Sequence, residues 1–213
     1  MIIGMTTLKG GVGKTTLTLN IAHALSQDSR VLVIDSDPQQ SALNWSSSRD
    51  EKPEFSVIGL PTKTIHRDIK DLSKDYDHII IDSPPRVTDI ARSVIVSSDI
   101  VLIPATPCVF SVWALEETVG LIEESFAFKE GTKYGVVINR RSPTTVISKE
   151  LVEKLKEKEM NLINSTISER VIFSNASLQG KTIFEIQKND DAKKVATQEI
   201  KDLIIELKEM MND

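Results

Sequence analysis

One cysteine, Cys108, in 213 residues leaves the chain without an internal disulfide and without any four-cysteine metal site of its own. That usage fits a reducing, cytoplasmic setting. No run approaches the roughly 18 consecutive apolar residues of a membrane span. The opening Met1-Ile2-Ile3-Gly4-Met5 lacks the basic region and apolar run of a secretory signal. A strongly basic balance is missing too: the net charge is −5, which argues against a chain that coats nucleic acid through bulk charge. The charge is uneven, however. Residues 140–213 hold 13 basic and 13 acidic groups, so the whole acidic surplus falls in the first 139. Any anion-binding surface is better placed in the last third. What remains, 40% hydrophobic and 27% charged residues, is ordinary for a globular protein with a sizeable core.

Short apolar, β-branched runs alternate with longer amphipathic ones. The runs at 1–6, 31–34, 55–58, 78–81, 100–104 and 134–138 are apolar without alternation, as strands covered on both faces should be. Helical patterns fill 14–26, 64–72, 89–97, 112–126, 148–159 and about 190–211. This order predicts an α/β fold: a mostly parallel sheet with helices on both faces, formed as one domain over residues 1–213. In the last helix, Ile200, Leu203, Ile204 and Leu207 recur at helical spacing, which reads as a face packed on the sheet. A membrane-surface helix would want a basic polar face and bulky aromatics, and this one has neither.

The sequence Lys9-Gly10-Gly11-Val12-Gly13-Lys14-Thr15-Thr16 follows the first strand and leads into the first helix. That context is what a phosphate-binding loop requires. Gly10, Gly11 and Gly13 let backbone N–H groups converge on an anion, and the helix N-terminus adds its dipole. Lys14 is placed to reach the β- and γ-phosphates, and the Thr15 hydroxyl to ligate Mg²⁺. The first glycine of the general pattern would fall at Leu8; instead the loop opens on a second lysine, Lys9.

The loop resembles the deviant Walker A motif of the ParA/MinD family of ATPases, an architecture within the P-loop NTPases. Two further segments resemble that family in order and spacing. Val31-Leu32-Val33-Ile34-Asp35-Ser36-Asp37-Pro38-Gln39 is similar to its Walker A′ segment, and Tyr76-Asp77-His78-Ile79-Ile80-Ile81-Asp82-Ser83-Pro84-Pro85 to its Walker B segment. The likeness continues through residues 101–107 and 137–140 and spans essentially the whole chain.

The resemblance implies ATP or ADP with Mg²⁺ as ligands and slow intrinsic hydrolysis. It makes Lys14 a phosphate ligand and Asp37 the residue that orients the attacking water. Thr15, Asp35 and Asp82 fall to the metal, Asp82 through a bound water and Asp35 from behind the groups that touch it. An isolated charge at the end of an apolar strand is costly unless it faces a polar site, which agrees with that role for Asp82; a buried carboxylate capping the next turn is the alternative. Lys9 would reach across a homodimer to the phosphates of the other copy. Val12 and Thr16 complete the nucleotide contacts. Asn139 would read the adenine edge, and Arg140 either lies over the ring or is a surface arginine.

Three classes of function stay open. A ParA-type ATPase would bind DNA nonspecifically in its ATP state, associate with the nucleoid, and move a plasmid, chromosome or protein cargo with a ParB-like partner. Trp45 and the short stretch before the loop resemble the small members without a helix-turn-helix domain. Arg170, Lys181, Lys188, Lys193 and Lys194 are the candidate DNA contacts, the other reading being scattered solvated charges. A MinD-type ATPase would want a basic amphipathic tail. Metabolic relatives would want a second polar pocket, or, for an iron–sulfur reductase, two cysteines from each chain.

Overall fold

The computed structural model describes residues 1–108, 111–129, 131–142, 146–187 and 190–212. Seven strands form one parallel sheet: β1 (Ile2–Met5), β2 (Val31–Asp35), β3 (Ser56–Gly59), β4 (His78–Asp82), β5 (Ile100–Ala105), β6 (Lys133–Arg141) and β7 (Leu162–Ser168). Their spatial order is β3-β2-β4-β1-β5-β6-β7. The helices are α1 (Lys14–Ser26), α2 (Ser41–Ser47), α3 (Ile65–Leu72), α4 (Thr88–Ser97), α5 (Ser111–Ser125), α6 (Val146–Glu157), α7 (Val171–Leu178) and α8 (Asp191–Asn212). The expected α/β class and parallel sheet are what the chain forms.

The unbroken apolar runs follow from burial on both faces. Alternate residues of each central strand enter opposite cores. Ile3, Val33, Ile80, Leu102 and Val137 pack with Leu17, Ile21 and Leu25 of α1 and Ile200, Leu203 and Leu207 of α8. On the other face, Leu32, Ile34, Ile79 and Ile81 meet Ile65 and Ile69 of α3 and Ile90 and Val94 of α4. Val101, Ile103, Val136 and Ile138 meet Leu115, Val119 and Ile122 of α5 and Leu151 and Leu155 of α6. The last helix thus spends its apolar stripe on the sheet, as its spacing predicts.

Strand order puts the loop after β1 at a reversal point. From β1 the chain moves outward through β2 and β3, returns to β4 beside β1, and then continues through β5 to the opposite edge. Ligands of open parallel sheets gather at the carboxyl ends of strands where the order reverses. Residues 6–13 lie there.

Three elements lie outside the segments picked from sequence. α2 buries only Ala42 and so offers no periodic apolar face. β7 buries only Ile163 and Ile167 among polar neighbours, as an edge strand does. α7 begins Val171-Ile172-Phe173, a β-type composition, and is helical in its tertiary setting.

Candidate functional site

The loop between β1 and α1 is fixed from several sides. The Thr6 amide donates to the Leu102 carbonyl at 3.1 Å, and the Thr6 and Ser83 hydroxyls share a 2.6 Å bond. The Leu8 amide donates to the Thr118 hydroxyl at 3.2 Å. Gly11 and Gly13 adopt φ of +74° and +91°, where a side chain is strained. A Cβ on Gly13 would also lie 2.6 Å from Asn139 Nδ2. Gly13 caps α1 without a side-chain bond, so the amides of the first turn point from the helix toward the space above the loop. Such a mouth suits an anion.

Lys14, the first residue of α1, is buried. Burial pushes its ammonium below the usual value, against the pull of the Asp82 and Asp37 carboxylates. Asp82 is fully buried at the end of β4. Burial raises its carboxyl to about 7, opposed by the hydrogen bond from Thr15 and aided by the Asp35 charge. Thr15 Oγ1 donates to Asp82 Oδ2 at 2.5 Å, while buried Asp82 Oδ1 has no hydrogen-bond partner. A hydroxyl beside a carboxylate with one unsatisfied oxygen fits a hydrated Mg²⁺, which takes few protein ligands and completes its shell with phosphate and water. Among the described residues no group of three or more His, Cys, Asp or Glu could hold a metal alone.

The other sequence candidates fall in different places. Asp35, expected behind the groups that touch the metal, holds backbone amides. Its Oδ2 accepts the Ala42 and Leu43 amides at 2.8 and 3.0 Å, and its Oδ1 the Asp37 amide at 3.1 Å. It caps α2. Burial raises its pKa, opposed by those amides. β2 ends at Asp35, so the strand alternation that would align Asp35 with Asp37 stops there. Asp37 is part exposed on the following turn, with Oδ1 accepting the Gln39 amide at 2.9 Å and its charge felt by Lys14. The part-buried Lys9 ammonium donates to the Ser111 hydroxyl at 3.0 Å.

Asn139 ends up on the loop itself. Its Nδ2 donates to the Val12 carbonyl at 2.7 Å, and its Oδ1 accepts the Arg140 amide at 3.0 Å, with Arg140 at φ +54°. The side chain expected to read a base ties β6 to the phosphate loop. A cleft of about 610 Å³ opens beside it, lined by Gly13, Thr16, Asn139, Arg140, Arg170 and Phe173, with Ser174 and Ser177 beyond. Phe173 offers the ring that sequence reasoning missed; its signal was hidden in a segment read as neither helix nor strand.

Arg170, expected on a DNA surface, lines this cleft. Its guanidinium lies 4.0 Å from Glu199, and its buried Nε has no partner. Lys193 donates its ammonium to the Ile186 carbonyl and is part buried. Both thus have a neighbour within the chain. Lys194 is exposed, 3.7 Å from Asp191. Lys181 is part buried and makes no ion pair among the described residues. Lys188 lies outside the described residues.

A parallel sheet with a glycine-rich loop at its reversal point, feeding a helix through Lys14 and Thr15 and facing the Asp82 carboxylate, defines a P-loop nucleotide-binding protein. The chain belongs to the CobQ/CobB/MinD/ParA nucleotide-binding family, whose model matches residues 3–183. It is 25% identical over 187 residues to the maintenance of carboxysome distribution protein A of Halothiobacillus neapolitanus, covering 86% of this chain and 87% of that one. Its fold is similar to an Asp-to-Ala variant of Cyanothece McdA in complex with ATP, with TM-score 0.81, 21% identity and coverage of 97% and 96%. It is also similar to a Borrelia burgdorferi plasmid partition protein bound to AMPPNP, with TM-score 0.73, 22% identity and coverage of 97% and 98%. Positioning ATPases are thus the relatives among which it stands. No helix among the described residues is long and apolar enough to cross a membrane.

Proposed function

We propose that this chain is a slow ATPase that dimerises with ATP, binds DNA nonspecifically in that state, and positions a plasmid, chromosome or protein cargo. A ParB-like or adaptor partner stimulates turnover and resets the cycle. The observation that carries the reading is the geometry of the two lysines. Lys14 is buried and feels the Asp82 and Asp37 charges, whereas Lys9 on the same loop donates to Ser111. In this reading Lys14 serves its own nucleotide, and Lys9 exchanges Ser111 for the phosphates of a second copy.

In this reading the amides from Gly10 to Thr16 and the Lys14 ammonium hold the β- and γ-phosphates. Thr15, and Asp82 through a water, hold Mg²⁺, which neutralises charge on those phosphates. Adenosine occupies the cleft against Phe173, with Arg140 and Arg170 at its rim. Asp37 orients the attacking water. The neighbour's Lys9 supplies positive charge as the phosphoryl group transfers, the part an arginine finger plays elsewhere. ATP favours the dimer because only the dimer gives its phosphates that charge.

Relatives named for carboxysome distribution and plasmid partition support cargo positioning. A MinD-type membrane cycle has less support, because α8 buries Ile200, Leu203, Ile204 and Leu207 in the core. Among the DNA-contact candidates, Lys194 is exposed on α8 beside Asp191, and Lys181 is part buried. Binding of a random DNA duplex with ATP, ADP or neither, over a salt series, tests the reading. ATP-dependent binding that weakens steeply with salt is expected. Binding to anionic vesicles alone would assign the membrane class.

A further inference from the structure

α2 is seven residues long and buries one side chain, so it has little stability of its own. Yet it directly follows the turn carrying Asp37. Its first turn is capped by Asp35. Its other end runs into Arg49, and there the chain is held with unusual density for a surface helix.

The Arg49 guanidinium forks onto Glu185. Nη2 donates to Oε1 at 2.5 Å and Nη1 to Oε2 at 3.1 Å; Nη1 also donates to the Gly180 carbonyl at 2.6 Å and Nε to the Glu51 carbonyl at 2.9 Å. The guanidinium carbon lies 4.7 Å from the Trp45 ring centre, and Trp45 stacks on Phe55 with ring centres 6.0 Å apart. Only 8% of the Arg49 side chain is exposed. A surface arginine gains little from an ion pair, but a buried bidentate one fixes geometry. Glu185 is anchored in turn by the Thr182 amide and hydroxyl at 2.8 and 3.0 Å.

This turn is itself fastened to the phosphate loop. Asn20 on α1 accepts the Ile183 amide at 2.9 Å and donates to the Thr16 carbonyl at 2.7 Å. A continuous set of bonds therefore runs from Thr16 through Asn20, the 182–185 turn, Glu185 and Arg49 to α2. α7, which lines the cleft, leads into the same turn.

We propose that Arg49 is a positioning residue for Asp37: clamped on Glu185, it holds α2, and the turn ahead of it, in register with the phosphate-loop helix. The proposal rests on the reading of Asp37 as the water-orienting carboxylate. The clamp touches no phosphate, so it governs turnover rather than nucleotide affinity. It also makes Trp45 a native reporter, since its ring faces the clamp.

The test uses the full chain carrying Trp113→Phe, which leaves Trp45 as its one tryptophan. Arg49→Lys keeps the charge and loses the fork; Glu185→Gln keeps the shape and loses the charge. Asp37→Ala is the control. Single-turnover ATP hydrolysis, ATP affinity by calorimetry and Trp45 emission are measured on each. Both clamp variants should hydrolyse at least tenfold more slowly, bind ATP within twofold of the parent, and shift Trp45 emission. Combining them should cost no more than the worse single change. Hydrolysis at the parental rate in folded Glu185→Gln, or rate and affinity falling together, overturns the clamp. If Asp37→Ala turns over normally, the water-orienting reading fails first and the clamp with it; if Asp37→Ala is slow while the clamp variants are normal, the clamp alone is wrong.

Discussion

Thr15 Oγ1 and Asp82 Oδ2 are 2.5 Å apart, and that bond joins the first turn of α1 to the end of β4 inside a fully buried carboxylate's shell. The hydroxyl and Oδ2 thus satisfy each other, while the buried Oδ1 has no hydrogen-bond partner.

A proton should leave as Mg²⁺ arrives. Burial first, and the nearby Asp35 charge with it, keep Asp82 near 7 against the Thr15 bond, so at neutral pH part of the population carries a proton there. Metal binding favours the ionised carboxylate and expels it. Mg²⁺ affinity in the presence of ATP should rise between pH 6 and 8. Calorimetry in two buffers of different ionisation enthalpy should detect up to one proton released; identical heats in both would refute this.

Lys14→Ala should weaken ATP binding on the order of 100-fold, the scale of truncating a buried, paired charge. The same change should leave the fold intact, because burial already works against the ammonium. Calorimetry and a melting curve together separate the two effects.

Lys9→Ala has a different expected signature. Nucleotide affinity of the isolated chain should be unchanged, while the ATP-dependent dimer and its turnover are lost. Sedimentation with and without ATP checks the first point and phosphate release the second. An unaltered hydrolysis rate and dimer would remove the cross-subunit role.

Gly13→Ala should destabilise the chain by about 1–3 kcal/mol from backbone strain alone, with the Asn139 contact adding to it. The φ of +91° and the 2.6 Å approach to Asn139 Nδ2 act at one atom. Asn139→Ala should cost about 1–3 kcal/mol by leaving the buried Val12 carbonyl without its donor. Urea denaturation measures both.

Acid should loosen the Arg49–Glu185 clamp. Burial opposes the Glu185 carboxylate, but bonds from Arg49 and Thr182 outweigh it and hold the pKa at about 2, down from 4.5. A depressed carboxylate contributes its stability above the unfolded value and loses it as pH falls toward the folded one. The contribution therefore fades between about pH 4.5 and 2. Arg49→Ala should flatten that part of the stability–pH curve, and it also removes a charge that lowers the pKa of His23, 3.8 Å from Glu185.

The sequence was most informative where one physical requirement dominates. Burial on both faces writes unbroken β-branched runs, so β1, β2, β4 and β5 were legible, and Gly11, Gly13, Lys14 and Thr15 carry a spacing that phosphate geometry demands. It was least informative where neighbours decide. α2 owes its place to Asp35 beneath it and Arg49 beyond it. Arg49 and Glu185 are 136 positions apart, and no local pattern announces their meeting. Asp35 and Arg170 show the same limit: each is the right residue type near the right motif, but its hydrogen bonds and neighbours give it another setting.

The central place of β1 matters during synthesis. Its partners are Ile79–Asp82 on one side and Ile100–Leu102 on the other, and α1 waits for α8, at residues 191–212, to cover the same face of the sheet. Closing such distant contacts is slow, and nothing near the first strand can do it instead. A ribosome therefore releases the nucleotide-gripping segment early and unsupported. The loop gains its seat only once Ser83, Leu102, Thr118 and Asn139 have emerged to hold it.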